Sequence, residues 1–160
     1  MVDACLIHIA LYKPEIHPNA GNIARLCAAN GLALHLVGNL GFRIDDRSIR
    51  RAGLDYWPHV DLRREQDLDD LNSSLPGSRF FYFSTHAKRL YTDVEYRTGD
   101  CLVFGPESRG LPEDLVQSNL ENSLKIPMHT SNVRSLNLAS AVAIAAYEAL
   151  RQILGRKIGR

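Results

Sequence analysis

The chain has 160 residues, of which 45% are hydrophobic and 23% are charged, and its formal net charge is +1. The length predicts one domain over residues 1–160, and the small net charge excludes a highly basic tail protein. A nearly neutral chain can still bind nucleic acid through a local basic patch. The chain has three cysteines, Cys5, Cys27 and Cys101, and no C-x-x-C pair. This pattern argues against a disulfide scaffold and against a zinc knuckle. We therefore predict reduced thiols in a cytoplasmic protein. We find neither a signal-peptide pattern nor the ~18 consecutive apolar residues that a membrane span needs.

Short apolar runs alternate with helical patterns along the chain. We predict strands at residues 6–11, 33–37, 80–84, 101–104 and 122–126, and helices at residues 20–30, 45–52, 65–72 and 112–118. Gly31 follows the first helix at the position where glycine commonly ends a helix. Strands that alternate with helices predict an α/β fold, with a mostly parallel sheet flanked by helices.

The segment at residues 138–147 is apolar or small at nearly every position, and polar side chains appear only later, at Glu148, Arg151 and Gln152. A helix on the surface of a monomer normally has a polar face. Two interpretations stay open here. The helix is either buried in the core of one chain, or it packs on its own sheet with one face and on a second subunit with the other, which predicts a homodimer.

Three loop segments contain more glycine, proline, asparagine and charge than a simple connection needs. They span residues 14–22, 105–112 and 126–137, and each follows a predicted strand. The carboxyl ends of parallel strands lie at one edge of a sheet, so the three segments are expected to meet at a ligand site. Taken singly, each has a structural explanation, with Asn19 and Asn137 as helix caps and Gly105 and Gly110 as turn residues with positive φ.

Several common kinds of site are absent from the sequence. It contains no phosphate-binding P-loop, no G-x-G-x-x-G dinucleotide motif, no G-x-S-x-G serine elbow and no pair of zinc ligands at helical spacing. His8 and His35 fall inside predicted strands, whereas His17 and His129 fall in the loop segments and could contact a substrate.

Basic residues cluster locally, at Arg43, Arg47, Arg50 and Arg51, and again from Arg151 to the C-terminus. Such a cluster is either a solvated face or, with Phe42, Tyr56 and Trp57 nearby, a surface that binds RNA phosphates and stacks bases.

The three loop segments carry recognisable motifs. PEIHPNAGNIARL at residues 14–26, FGPESRGLP at residues 104–112, and IPM followed by SLNL within residues 126–138 resemble the three motifs of the SPOUT RNA 2′-O-methyltransferases. RRAGLDY at residues 50–56 is similar to the small branch that methylates the tRNA wobble nucleotide, the tRNA (cytidine/uridine-2′-O)-methyltransferases of the TrmL type.

This resemblance implies an S-adenosylmethionine site formed by a C-terminal trefoil knot, the SPOUT or alpha-beta knot fold, within a homodimer that acts on the anticodon loop of tRNA. The residue patterns described above predict no metal and no membrane. The cofactor-binding residues that the resemblance implies are Phe83, Gly105, Ile126, Pro127, Met128, Ser135 and Leu136. The catalytic residues that it implies are Arg25, Asn19, Glu107, Ser135 and Asn137, and Tyr147 would contact RNA or organise the site.

Methyl transfer from a sulfonium requires alignment with the ribose hydroxyl and removal of a proton. Arg25 occupies the catalytic position implied by the resemblance, but a guanidinium stays protonated in proteins and is a poor base. We therefore expect Arg25 to bind a substrate phosphate that accepts or relays the proton, with His129 as the alternative base. Two other functions stay open: an RNA-binding homologue without activity, and a 2′-O-methyltransferase for another tRNA or ribosomal RNA site.

Overall fold

The computed structural model describes residues 5–45, 47 and 55–157. The described strands form one parallel sheet in the order β3-β2-β1-β6-β4-β7-β5. The strands are β1 Ile7–Tyr12, β2 Ala33–Val37, β3 Asp61–Glu65, β4 Phe80–Phe83, β5 Arg89–Leu90, β6 Asp100–Phe104 and β7 Ser123–Lys125. The α-helices are α1 His17–Asn30, α2 Leu68–Ser74, α3 Glu113–Ser118 and α4 Leu138–Lys157, with short 3-10 helices at Trp57–His59, Tyr91–Asp93 and Leu120–Asn122.

The parallel α/β fold predicted from the sequence is confirmed. β1 lies at the centre of the sheet, where Ile9 is in register with Leu34 of β2 on one side and with Leu102 of β6 on the other. From β1 the chain first moves outward through β2 and β3 and later fills the other half of the sheet. Ligands of open parallel sheets bind beyond the carboxyl ends of the strands at such a reversal.

Both faces of the sheet are covered by helices, as a parallel sheet requires. One face packs against α1 and α4 through a core that includes Ile9, Ile23 and Val142. The other face packs against α2 and α3 through a smaller core that includes Leu71 and Val116. The central strands β1, β2 and β6 are almost entirely buried, which explains why they appear in the sequence as continuous apolar runs.

Two predicted helix starts were wrong. Residue Glu65 belongs to β3, and α2 begins only at Leu68, because the Asp67 side chain accepts a hydrogen bond from the backbone N–H of Asp70 and caps the helix there. Helix α1 begins at His17, three residues earlier than predicted, with Ile16 as an extended N-terminal cap residue. Asn19 therefore lies inside the first turn and is not the helix cap.

Other element boundaries lie close to those predicted. Gly31 ends α1 in the left-handed conformation, with φ 62°, as expected. Strands β3 and β5 were not predicted. The helix predicted at residues 45–52 lies mostly outside the described residues.

Helix α4 extends ten residues beyond the apolar segment that predicted it, and its two sides differ. Val142, Ala145 and Ala149 are fully buried against the sheet. Ile144, Tyr147 and Leu154 lie on the opposite side with 38%, 54% and 40% of their surface exposed. The helix thus buries one face in its own chain and presents three large apolar side chains outward, together with the exposed Arg151. In the part of the chain that the structure describes, no helix is long and apolar enough to cross a membrane.

A buried polar chain crosses three strands on the α2 side of the sheet. His8 Nδ1 lies 3.0 Å from His35 Nε2, and His35 Nδ1 lies 2.7 Å from Glu65 Oε1. A carboxylate oxygen only accepts, so a neutral His35 donates from Nδ1 and accepts from the His8 Nδ1–H. Burial, and then the neighbouring His35, lower the pKa of His8 to about 4. Both histidines are core residues.

Candidate active site

The three loop segments converge at the carboxyl ends of the central strands, as the sequence predicted. They follow β1, β6 and β7 and surround a cavity of about 560 Å³. Six of the seven predicted cofactor-binding residues line this cavity, namely Phe83, Gly105, Ile126, Met128, Ser135 and Leu136. Pro127 is exposed and is not part of the lining. Four of the predicted catalytic residues line it as well: Asn19, Glu107, Ser135 and Asn137.

The loop after β6 folds back tightly on itself at Gly105. A side-chain Cβ placed on Gly105 would overlap the backbone of Gly110 and Leu111. Gly110 adopts a left-handed conformation with φ 70°, and its backbone N–H donates to the carbonyl of Pro106 at 2.8 Å. Glycine at position 105 is therefore required by close backbone approach, whereas glycine at position 110 is favoured by its positive φ.

Glu107 ties the loop after β6 to the loop after β1. Its Oε2 atom accepts a hydrogen bond from the backbone N–H of Glu15 at 2.7 Å, and its Oε1 atom accepts from the backbone N–H of Ile16 at 3.2 Å and from Asn19 Nδ2 at 3.3 Å. Ser108 adds a further link, since its hydroxyl donates to Glu15 Oε1 at 2.6 Å. The Glu107 carboxylate thus stabilises the start of α1, where backbone N–H groups lack helical partners.

Asn19 and Asn137 extend these contacts to the loop after β7. Asn137 Nδ2 donates to Asn19 Oδ1 at 3.0 Å. The Asn137 Oδ1 atom also accepts from the backbone N–H groups of Ala139 and Ser140, so that Asn137 caps α4. Both interpretations of Asn137 that the sequence left open therefore apply: it is a helix cap, and it lines the cavity. Glu107, Asn19 and Asn137 form one hydrogen-bonded chain across the three loops.

Two stacked aromatic rings lie where strands β4 and β6 end. The centroids of Phe83 and Phe104 are 4.6 Å apart with ring planes inclined by 18°, and both side chains are buried. Leu124, Ile126 and Met128 add apolar surface to the same cavity. A cavity of this volume, apolar at its base and bordered by backbone and amide groups, suits a nucleoside-sized ligand.

Arg25 lies away from this cavity. Its side chain is exposed on the outer side of α1, where the guanidinium carbon is 5.8 Å from the centroid of the Tyr56 ring. The Tyr56 hydroxyl donates to the carbonyl of Gly21 at 3.0 Å. Desolvation raises the pKa of Tyr56 and outweighs the nearby Arg25, which lowers it. His129, the alternative base, is exposed and is also absent from the cavity lining.

The predicted RNA-contacting residues lie on the surface where they are described. Arg43 and Arg47 are exposed, and Arg50 and Arg51 lie outside the described residues. The Tyr147 hydroxyl accepts a hydrogen bond from Asn30 Nδ2 at 3.3 Å. Arg151 forms two hydrogen bonds with the Glu148 carboxylate, at 2.9 and 3.0 Å.

Three charged or titratable side chains in the cavity lining were not identified from the sequence: His86, Arg109 and Arg134. Arg109 and Arg134 belong to the second and third loop segments, so that their position in those segments was the available signal. His86 follows β4, a strand end for which no loop was singled out. Within the described residues there is no group of three or more histidine, cysteine, aspartate or glutamate side chains that could hold a metal ion.

Comparisons with known proteins agree with this geometry. A family model described as the SpoU rRNA Methylase family matches residues 6–147. The chain is 44% identical over 149 residues to the tRNA (cytidine(34)-2'-O)-methyltransferase of Aeromonas hydrophila subsp. hydrophila, with 92% of this chain and 95% of that protein covered. A solved structure described as "Structural insights into the 2-OH methylation of C/U34 on tRNA" is 52% identical, covers 94% of this chain and 97% of its own, and has a TM-score of 0.86.

A more distant solved structure carries a ligand. The AdoMet-bound rRNA methyltransferase from Sinorhizobium meliloti is 26% identical with a TM-score of 0.76, and the match covers 91% of this chain and 56% of that one. The chain belongs to the SpoU methylase family. The family resemblance inferred from the three motifs is therefore confirmed, while the trefoil knot stays a prediction.

Proposed function

We propose that this chain is an S-adenosylmethionine-dependent tRNA methyltransferase that methylates the ribose 2′-hydroxyl of the wobble nucleotide, a cytidine or a modified uridine. The observation that carries this proposal is the convergence of three loops from distant parts of the chain on one cavity. The names of relatives that match nearly the whole chain support tRNA nucleotide 34 as the target. The free cysteines, Cys5, Cys27 and Cys101, support a reducing compartment such as the cytoplasm.

The cavity suits the cofactor. When bound, S-adenosylmethionine supplies a methyl group that its sulfonium already activates. Phe83, Ile126 and Leu136 would offer apolar surface to the adenosyl part, while Gly105 lets the backbone of its loop turn back sharply beside it. An AdoMet-bound relative of the same fold supports this assignment.

Glu107, Asn19 and Asn137 act in this proposal by fixing the geometry of the site. Alignment of two reactants can supply ~7–11 kcal/mol of the barrier as effective concentration. Both Glu107 oxygens already accept hydrogen bonds from α1 and the loop before it. That arrangement favours a role in holding the three loops together over a role as the proton acceptor.

Arg25 binds a phosphate of the RNA in this proposal and does not act as a base. Its guanidinium is exposed, and the Tyr56 ring beside it restricts its position. A guanidinium offers several N–H donors to a phosphate, which itself accepts or relays the ribose proton. Since Arg25 lies outside the cavity of its own chain, a second subunit offers a way to bring it near a reacting ribose.

A homodimer is part of this proposal. Ile144, Tyr147 and Leu154 form an exposed apolar stripe on α4, which the exposed Arg151 interrupts, and the partly buried alanines beside it allow a second helix to approach closely. Helix α1, which carries Arg25, packs against α4 through contacts such as that between Asn30 and Tyr147. A dimer formed on α4 would therefore place the outer side of α1 next to the interface.

Mass spectrometry of wobble-nucleotide ribose methylation tests the function directly. Bulk tRNA incubated with the protein and S-adenosylmethionine should gain one methyl group on nucleotide 34. Arg25→Ala should abolish transfer while calorimetry shows nearly unchanged cofactor binding, and Arg25→Lys should restore little. Substantial turnover by Arg25→Ala would remove Arg25 from the mechanism, and a wild-type protein that binds tRNA but not the cofactor would be an RNA-binding protein without this activity.

A further inference from the structure

The cavity lining contains more basic than acidic side chains. Within the described residues the lining includes one acidic residue, Glu107, and two arginines, Arg109 and Arg134. Arg109 lies in the loop between β6 and α3, and Arg134 lies in the loop between β7 and α4. The cavity lining thus contains more basic than acidic residues, although the chain is nearly neutral overall.

The negative charge in this cavity is already engaged. The Glu107 carboxylate accepts three hydrogen bonds from the start of α1 and the loop before it. The neighbouring Glu15 carboxylate accepts a hydrogen bond from Ser108. Neither Arg109 nor Arg134 forms a hydrogen bond or an ion pair with any residue that the structure describes, and both are exposed at the cavity. The two guanidiniums are thus available to an incoming anion.

We infer that Arg109 and Arg134 form an anion site at the mouth of the cavity, which binds a phosphate of the RNA chain next to the ribose that is methylated. This inference rests on the proposed function. A bound sulfonium cofactor adds a further net positive charge beside the two guanidiniums, so the loaded cavity attracts an anionic substrate. Positive charge inside a cleft is focused toward its opening, and a guanidinium matches the geometry of a phosphate.

This assignment differs from the role proposed for Arg25. Arg109 and Arg134 border the same cavity as the predicted cofactor-binding residues, whereas Arg25 of the same chain does not. The two arginines in the cavity therefore position the target nucleotide within one subunit. Arg25 contacts the RNA from the outer side of α1.

Salt-dependent tRNA binding tests the anion site. The probe is an unmodified tRNA transcript, titrated at several salt concentrations against protein saturated with S-adenosylhomocysteine, for the wild type, Arg109→Gln, Arg134→Gln and the double variant. Loss of this phosphate contact in the double variant should reduce the magnitude of the slope of log K against log salt by ~0.7, the value for one phosphate of single-stranded RNA. We expect each single variant to bind tRNA about tenfold more weakly, with the cofactor dissociation constant unchanged within about twofold.

The matched control is Arg97→Gln. Arg97 is exposed and lies just before β6, at the opposite edge of the sheet from the cavity, so its variant should keep the wild-type affinity and slope. A double variant with the wild-type slope overturns the inference while wild-type methylation still supports the proposed function. Weaker cofactor binding with unchanged tRNA binding also overturns it, because the guanidiniums would then hold the cofactor carboxylate. A wild-type protein that binds no tRNA overturns both proposals.

Discussion

Replacing Glu107 by glutamine should weaken the contact between the loops after β1 and β6. The glutamine amide would place an N–H₂ group or a single oxygen where two carboxylate oxygens now accept three hydrogen bonds. Hydrogen bonds to a charged group contribute about 1.5–3 kcal/mol each. Because Glu107 is half-buried, we expect a loss of about 2 kcal/mol in the free energy of unfolding, which corresponds to a fall in Tm of about 4–8 °C for a chain of this length.

Urea unfolding and a cofactor titration measure the two consequences. The Glu107→Gln variant should be less stable than the wild type and should bind S-adenosylmethionine more weakly, because the cavity loses a fixed wall. The pH profile of its residual activity should keep its shape, since Glu107 is not the proton acceptor. Glu121→Gln is the matched control, because Glu121 is exposed in a short 3-10 helix. Wild-type stability with wild-type cofactor affinity would refute the reasoning, and so would loss of one limb of the pH profile.

Three further predictions address other parts of the molecule. Gly105→Ala should abolish cofactor binding in calorimetry, because the added Cβ overlaps the backbone of Gly110. His8→Gln should flatten the dependence of the free energy of unfolding on pH. The pKa of His8 in the folded state, about 4, lies below its ordinary value, so the folded wild type binds fewer protons than the unfolded wild type does. The wild type should therefore lose about 2 kcal/mol of its free energy of unfolding from pH 7 to pH 5. Ile144→Arg should shift the chain from dimer to monomer in sedimentation equilibrium, because it places a charge in the exposed apolar stripe of α4.

Each of these predictions has its own contrary result. At Gly110 an added Cβ meets no atom within 4 Å, so Gly110→Ala is strained only by its φ of 70° and is the milder comparison for the loop. Cofactor binding by Gly105→Ala at the wild-type level would contradict the close-approach argument. Equal pH dependence for His8→Gln and the wild type would remove His8 as the titrating group. Gln117→Arg, on exposed α3 across the sheet, should leave the dimer intact, and a monomeric wild type would rule out the proposed interface.

The fold was predictable from the sequence where burial governs the pattern. Strands β1, β2 and β6 are covered on both faces, so their apolar runs stand out. Strand β3 was missed because Asp61–Glu65 lies at the edge of the sheet and carries four charged side chains. Its place is set by backbone pairing with β2, and local composition does not encode such pairing.

The sequence predicted which loops form the site, but it did not predict most of the contacts between them. The glycine, proline and asparagine content of the loop segments indicated where a ligand would bind. It did not indicate that Glu107 would accept from the backbone of residues 15 and 16, because a backbone donor has no signature in the sequence. The outward orientation of the Arg25 side chain could not be predicted from the sequence either, because the packing of α1 on the sheet decides which of its side chains face outward.

Because Asn137 both caps α4 and contacts Asn19, the cavity can be completed only late in the synthesis and folding of the chain. The same amide accepts from the first backbone N–H groups of α4 and donates to Asn19 near the other end of the chain. During synthesis, the first two loops emerge from the ribosome long before this residue and its helix. A nascent chain that has completed the seven described strands still lacks one wall of the cavity, so we expect it to bind the methyl donor only when the final helix docks.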